Sequence, residues 1–389
     1  MLTEHFHNTQ KDTGHYSNDL RYVLSLQNTI AAFEEIKTWE GYAKTPLHSL
    51  DSLASDIGVK NIYYKDESSR FGLGSFKALG GTYGVLKFIH HALKKEIGDE
   101  VSMKDIHAGK YSEQISKYTV TTATDGNHGR SVAFGAKLFG CKCQIYIHSE
   151  VSSGRQKAME DLEATVNRIS GNYDASLQIC IEDAGKNNWY VISDTSYEGY
   201  TKYPRYIMAG YNVMAEEIID QIKDRPLPTH VFLQGGVGSF PGAICGYFWE
   251  KFPGNNIKFV VVESEHAPCL IRSAQNNQMT SVNIKQETMM AGLSCGEPSL
   301  LGWEILRSGA DDFITINDSS IPGLMRLLAK NNLKIEAGES SVAGLAGLIE
   351  SMEDQKIAKA MGLNKESIVL LFGTEGATDP EIYRSIISE

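Results

Sequence analysis

Short apolar runs alternate along this chain with longer stretches of helical period. Strands are expected at 61–64, 118–122, 143–147, 190–193, 230–233, 258–262 and 368–372, where β-branched, aromatic and aliphatic residues cluster. Phe76, Leu79, Tyr83 and Leu86 recur along one face of a helix expected over 76–91, and a second helix is expected over 206–222. Strands that alternate with helices predict parallel sheets with crossover helices. The expected fold class is therefore α/β: two open, mostly parallel sheets flanked by helices, in a large and a small domain. The large domain is expected to combine 1–83 with 205–389 and the small one to span 84–204. Segments 98–117 and 224–229 read as polar connectors, and the first 40 residues as an extension packed on the body.

Composition narrows the function classes. The 37 basic and 48 acidic residues give a net charge of -11 without a Lys/Arg cluster, so no nucleic-acid partner is expected. No apolar stretch approaches a membrane span, and the N-terminal segment MLTEHFHNTQKDTGHYSNDL has no apolar leader core. The expectation is a cytoplasmic protein acting on a small molecule. Six cysteines, at 141, 143, 180, 245, 269 and 295, lack paired C-x2-C spacing, so no metal is expected and buried reduced thiols are. Cys269 and Cys295 fall near segments assigned below to the site, which leaves a redox-linked pair as the alternative.

Three loops carry candidate chemistry. After the strand Asn61–Lys65 comes DESSRFGLG, then Ser75 as a helix N-cap, which puts Lys77 in the first turn. The positive end of the helix dipole disfavours a cation there by roughly 0.3 to 1 kcal/mol, a setting that suits a nucleophilic amine better than a solvated ammonium. After Val231–Leu233 comes Gln234-Gly235-Gly236-Val237-Gly238-Ser239, where glycines let backbone N–H groups crowd an anion at a helix start near Gly242. A dinucleotide fingerprint is a rival, with Glu263 at about the right distance, but Pro241 stands where a small third residue is needed. A plain structural turn also remains open. After Tyr118–Thr122 comes Ala123-Thr124-Asp125-Gly126-Asn127-His128-Gly129, with a helix expected from Arg130, and Asp194 ends the strand at 190–193, where open parallel sheets place ligands.

These segments resemble a known family. SRFGLGSFKALGG resembles the Schiff-base segment of fold-type II pyridoxal phosphate enzymes, the tryptophan synthase β-like group, and Thr45-Pro46-Leu47 resembles the short segment before their first strand. The Gly-Gly-x-Gly-Ser run is similar to their phosphate cup. DGNHGR, SDTSYEGYTKYP, AGLSCGEPS and FGTEGATDP together resemble the diaminopropionate ammonia-lyase family, from Ala43 to the C-terminus.

The resemblance implies pyridoxal 5'-phosphate held by Lys77 as a Schiff base, with Phe76 beside it and its phosphate on Gly235, Gly236, Val237, Gly238 and Ser239. It implies Asn127 at the phenolic oxygen and Thr124, Gly126 and His128 around the substrate carboxylate. Gly338-Glu339-Ser340 resembles the start of the small-residue helix near the cofactor ring, and Thr374 is the candidate partner of the pyridine nitrogen, a neutral hydroxyl with Glu375 as its neighbour.

Where threonine and serine dehydratases carry a small neutral residue, this chain has Asp125. An acid beside the carboxylate subsite repels an ordinary amino acid and suits a substrate with a second ammonium, or a reaction with a base opposite Lys77. The implied reaction is α,β-elimination from 2,3-diaminopropionate, of both D and L forms, to pyruvate and ammonia. Lys77 and Asp125 would serve opposite faces, and Asp194 would hold or protonate the leaving amine or, as the alternative, act as a base, in a homodimer. The alternatives are a threonine or serine dehydratase and a non-catalytic ligand sensor on the same fold.

Overall fold

The computed structural model describes residues 2–388 except Thr13, Asp125, Asn172 and Asn331, and for Asp174 the backbone alone. Eleven strands form among them, named in chain order: β1 Leu2–His7, β2 Leu47–Ser49, β3 Asn61–Asp66, β4 Thr119–Ala123, β5 Lys142–Ile147, β6 Thr165–Arg168, β7 Tyr190–Val191, β8 His230–Gln234, β9 Lys258–Ser264, β10 Asp312–Ile316 and β11 Ile368–Gly373. Seven of them pair in the order β1-β10-β9-β8-β11-β3-β2, and four in the order β6-β5-β4-β7.

Every pairing in the four-stranded sheet is parallel. The larger sheet is parallel at its centre and antiparallel only where β1 meets β10 and β2 meets β3. Helices cover both faces, so β8, β10 and β11 are buried along their whole length, and β8 and β11 read as continuous runs instead of alternating ones. The expected α/β class with two mostly parallel sheets is what the chain adopts.

Several boundaries differ from expectation for identifiable reasons. The helix at 206–222 is two helices, Lys202–Tyr211 and Val213–Gln221, meeting at Asn212, whose buried side chain donates to Thr29 Oγ1 at 3.0 Å. The polar interval 98–117 holds two short helices, Met103–His107 and Ser112–Ile115. Strands β1, β2, β6 and β10 were not expected. β1 belongs to the N-terminal extension and is ordered by β10, three hundred residues away in the chain. Asp312 at the start of β10 is an acidic residue within an apolar strand, and its Oδ1 is held by hydrogen bonds with His5 at 2.8 Å and His7 at 2.9 Å.

The helix Lys77–Ile97 packs against the helices Asn127–Phe139 and Lys202–Tyr211 and so joins the two sheets. Two glycines permit this approach. A Cβ on Gly81 would lie 1.8 Å from Ser131 Oγ, and one on Gly80 would lie 2.3 Å from the Tyr211 ring. No described helix is long and apolar enough to cross a membrane.

Candidate active site

The segments that follow β3, β4, β7, β8 and β11 converge on one cavity of about 380 Å³. Its wall includes Lys77, Thr124, Asn127, His128, Asp194 and Ser239. That is the carboxyl end of both sheets, where an open parallel sheet leaves room for ligands.

Lys77 is the first residue of its helix, as expected, although the cap is different. Phe76 holds the N-cap position with helical dihedrals and makes no side-chain cap bond, while Ser75 Oγ accepts the Lys77 N–H at 3.3 Å from one residue further out. The Lys77 amine contacts Asp194 Oδ2, so the dipole argument alone is incomplete: a carboxylate stands against the helix end. Nζ also lies 5.3 Å from the Phe76 ring centre and 5.4 Å from that of Tyr211.

Asp194 is the centre of this arrangement. Tyr211 donates its hydroxyl to Oδ2 at 3.1 Å, and His128 Nδ1 lies 3.9 Å from the same oxygen. Burial pushes the Asp194 carboxyl upward, but the Lys77 charge and the hydrogen bonds from Lys77 and Tyr211 outweigh it and hold the group well below the usual carboxylate range. Burial, followed by the Asp194 charge and hydrogen bond, raises the Tyr211 phenol well above its ordinary value, so it remains a donor. His128 Nε2 faces the Ile192 carbonyl at 2.8 Å and therefore carries a proton. Burial lowers the His128 pKa, so the ring is neutral and Nδ1 is a bare, buried nitrogen with no hydrogen-bond partner.

Four of the five expected cup residues line the cavity: Gly236, Val237, Gly238 and Ser239. Gly235 does not, because its N–H donates to the Val262 carbonyl at 2.8 Å as part of the sheet. Gly238 adopts φ +97° as N-cap of the helix Ser239–Lys251, which starts three residues earlier than expected. Any side chain at Gly236 would reach within 3.0 Å of the Gly292 carbonyl oxygen. Ser239 Oγ donates to the Asp194 carbonyl at 2.6 Å, which ties the cup to the carboxylate loop. The dinucleotide alternative loses its acid here. Glu263 accepts the N–H groups of Leu270 at 2.8 Å and Ile271 at 2.7 Å, capping the helix Cys269–Asn276, and burial pushes its carboxyl up to about 8.

The loop after β4 supplies the opposite wall. Thr124 Oγ1 accepts from Gly126 N at 3.0 Å and Gly129 N at 3.1 Å, which starts the next helix at Asn127, earlier than the expected Arg130. Asn127 and His128 thus sit in a first helical turn, where α-helical N–H groups have no intrahelical acceptor. Asp125 lies outside the described residues. Arg155, which sequence reasoning did not single out, joins this wall beside Gly126.

At the far end, Thr374 Oγ1 accepts from Gln234 Nε2 at 3.4 Å, and Gln234 also donates to the carbonyls of Phe372 at 2.7 Å and Ser340 at 3.1 Å. Ser340 Oγ is buried, lines the cavity and has no partner. Glu375 is buried here too, with Oε1 accepting the Ser340 N–H at 3.0 Å and Oε2 accepting from Asn127 Nδ2. Tyr211 and Glu375 are the principal contributors that sequence reasoning did not assign. The small residue Gly80, which faces Tyr211, and a carboxylate following the last strand were their only traces in the sequence.

The six cysteines form no disulfide. Cys269 and Cys295 flank the cup: the Cys269 thiol donates to the Gly236 carbonyl at 3.6 Å, and a Cβ on Gly236 would lie 3.3 Å from Cys295 Sγ. Burial pushes the Cys269 thiol well above its usual value, which favours the protonated, unreactive form. No group of metal-ligating side chains occurs among the described residues.

The residues present fit a phosphate-bearing aldehyde cofactor. A lysine amine faces the cavity, a glycine cup that a Cβ would fill opens a thirteen-residue helix, and a buried unpartnered hydroxyl stands at the far end. Comparison with known proteins agrees. Residues 38–373 match the family described as pyridoxal-phosphate dependent enzyme. The chain is 38% identical to the diaminopropionate ammonia-lyase of Escherichia coli K12 over 357 residues, covering 90% of this chain and 88% of that one. It is 37% identical to the Salmonella typhimurium enzyme over 379 residues, 94% of each. A crystal structure of the Escherichia coli enzyme with an aminoacrylate-PLP azomethine reaction intermediate superposes with a TM-score of 0.88 at 35% identity, covering 100% of this chain and 97% of that one. With cavity, cup and lysine in the arrangement this match requires, the chain belongs to the diaminopropionate ammonia-lyases, within the pyridoxal-phosphate dependent enzymes.

Proposed function

We propose that this protein eliminates the β-amino group of 2,3-diaminopropionate, yielding pyruvate and ammonia, with pyridoxal phosphate as cofactor. The observation that carries the substrate assignment is the Lys77–Asp194 ion pair beside the glycine cup. When bound, pyridoxal phosphate supplies an aldehyde that captures amines and a conjugated ring that takes up the electrons of a broken Cα–H bond.

Lys77 is the amine that would hold it, with Gly236, Val237, Gly238 and Ser239 around the phosphate, Phe76 alongside and Thr374 or Ser340 at the ring nitrogen. Asn127 would face the ring oxygen. Thr124, Gly126 and His128 would frame the substrate carboxylate.

Lys77 cannot be a neutral nucleophile and also neutralise Asp194. Once the amine is committed to the cofactor, Asp194 is a carboxylate whose remaining side-chain neighbours are the Tyr211 hydroxyl and the uncharged His128 ring. A carboxylate removed from water requires a cation. The β-ammonium of a diamino acid supplies one, and serine or threonine does not. Asp194 therefore orients the leaving amine and shares a proton with it, with Tyr211 fixing the oxygen concerned. Lys77 would act as the base on one face and Asp125 on the other, which would admit both D and L forms.

Pyruvate release by the holoenzyme from the two enantiomers tests this reading, and a preference for L-serine or L-threonine overturns it. Asp125→Asn is expected to suppress one enantiomer more than the other, and equal retention of both removes Asp125 from the chemistry. We place the protein in the cytoplasm as a homodimer, with residues 84–204 as a lobe able to move against the rest. Light scattering checks the mass and limited proteolysis the lobe.

A further inference from the structure

Glu375 makes more contacts than a residue of the wall requires. Its N–H donates to Ser341 Oγ at 2.6 Å, its carbonyl accepts the Gly338 N–H at 2.9 Å, and Oε1 accepts the Ser340 N–H at 3.0 Å. It also forms an isolated bridge with Ser75, while Phe76 N donates to the Thr374 carbonyl at 3.1 Å. The segment 338–341 and the approach to Lys77 thus hold both its backbone and one carboxylate oxygen.

The other oxygen, Oε2, crosses to the four-stranded sheet's side and accepts from Asn127 Nδ2. A carboxamide is ambiguous by itself: either end can face a ligand. An ionised carboxylate accepts only, so it selects the nitrogen end and leaves the amide's second N–H for another acceptor. Arg130 interacts electrostatically with Glu375, as Arg155 does with the neighbouring buried Glu339. Burial and then the Glu375 charge push the Glu339 carboxyl up to about 7.

We infer that Glu375 is the positioning residue for Asn127: it locks the carboxamide so that a polarised N–H, and not the carbonyl, faces the ring oxygen of the bound cofactor. The inference rests on the cofactor reading above. The N–H stabilises that oxygen as an anion, and the negative charge behind the amide fixes its direction. Glu375 acts through Asn127 and touches neither cofactor nor substrate in this role.

The visible absorption of the holoenzyme, titrated with pH in the absence of substrate, reads this directly. Loss of one charge-assisted hydrogen bond is expected to move the midpoint by roughly one to two pH units. Glu375→Gln and Asn127→Ala should each produce the shift, and the double variant should shift no further than Asn127→Ala alone. An unshifted midpoint in Glu375→Gln, or additive shifts in the double variant, overturns the inference. Should Glu375→Gln not fold, Glu375→Asp keeps the charge but cannot reach Asn127, and the same two outcomes apply. A wild-type protein that acquires no visible band with added pyridoxal phosphate defeats the cofactor reading instead, so the two failures are distinguishable.

Discussion

Two clusters of charge lie on either side of the segment that leads from β3 to Lys77, and they differ in how completely they are paired. The first holds Lys65, Glu67, Arg70 and Glu217, none more than 1% exposed. Arg70 grips Glu67 through Nε at 2.7 Å and Nη2 at 2.8 Å and Glu217 through Nη1 and Nη2, each at 2.8 Å. Its remaining capacity goes to the Ala43 carbonyl and Thr45 Oγ1, both at 3.0 Å. Lys65 donates to Glu217 at 2.6 Å, the Thr45 carbonyl at 2.8 Å and Gln221 at 3.0 Å. Two cations meet two carboxylates with every strong donor directed.

The second cluster, around Lys77 and Asp194, is left open. His128 Nδ1, 3.9 Å from Asp194 Oδ2, is buried without a hydrogen-bond partner, and so is Ser340 Oγ at the far end of the same cavity. Buried charge persists without a ligand only when its geometry is complete, so a fully paired cluster reads as framework and an incompletely paired one as a place for chemistry. The framework cluster anchors the loop that delivers Lys77, and the Thr45-Pro46-Leu47 segment takes part in it through Thr45.

Substitutions should separate the two clusters by what they change. Lys77→Ala is expected to abolish pyruvate formation, by roughly 10³-fold or more in kcat/KM. It should also lower the urea midpoint, because Asp194 loses its cation, though by less than a break in the fully buried cluster, since Asp194 lies on the cavity wall. Glu217→Ala should act mainly on stability: it strands two buried cations on one carboxylate and should cost about 3–5 kcal/mol in urea unfolding. Any folded fraction should keep its preference for the diamine. A Glu217→Ala protein of wild-type stability would erase the distinction.

Tyr211→Phe tests the boundary, because it removes a donor to Asp194 without disturbing the framework. A hydrogen bond to a charged acceptor contributes about 1.5–3 kcal/mol, so kcat/KM for the diamine should fall roughly ten- to a hundredfold. Asp194 is depressed, so the carboxylate is lost as pH falls through its folded value; removing a lowering contribution moves the acid limb of the rate profile to higher pH. The smallest effect belongs to Glu339. Its carboxyl is raised to about 7, so between its ordinary value of 4.5 and 7 the folded chain holds a proton that the unfolded chain has released. Stability therefore falls as pH rises through that window. Glu339→Gln should flatten this slope, by on the order of 1 kcal/mol between pH 5 and pH 8.

Most of the site's local chemistry was legible in the chain. Lys77 opens its helix, Gly236 to Ser239 open another, and Asp194 stands just past β7, because each depends on a short segment whose dihedrals and caps are set by neighbours. Strands β8, β9 and β11 were legible as well, since burial on both faces demands continuous apolar residues. The buried strand β10 was not, because Asp312 and Thr315 interrupt its apolar run, nor were β6, which is short and half-buried, and β1, which is a strand only because β10 lies beside it.

Sequence alone determined the α/β class, the lysine at a helix start, the glycine-rich start of another helix and the acid at the strand end, all of which follow from short-range pattern and backbone geometry. Tertiary structure decided which groups complete them. Gly235 lost its place in the cup to a sheet hydrogen bond, Tyr211 reached Asp194 across a glycine-lined helix contact, and Glu375 met Asn127 from the other sheet. These pairings join residues far apart in the chain, and a hydrogen bond or charge pair acts only over a few ångströms, so no local pattern can encode it until the fold has brought the partners together.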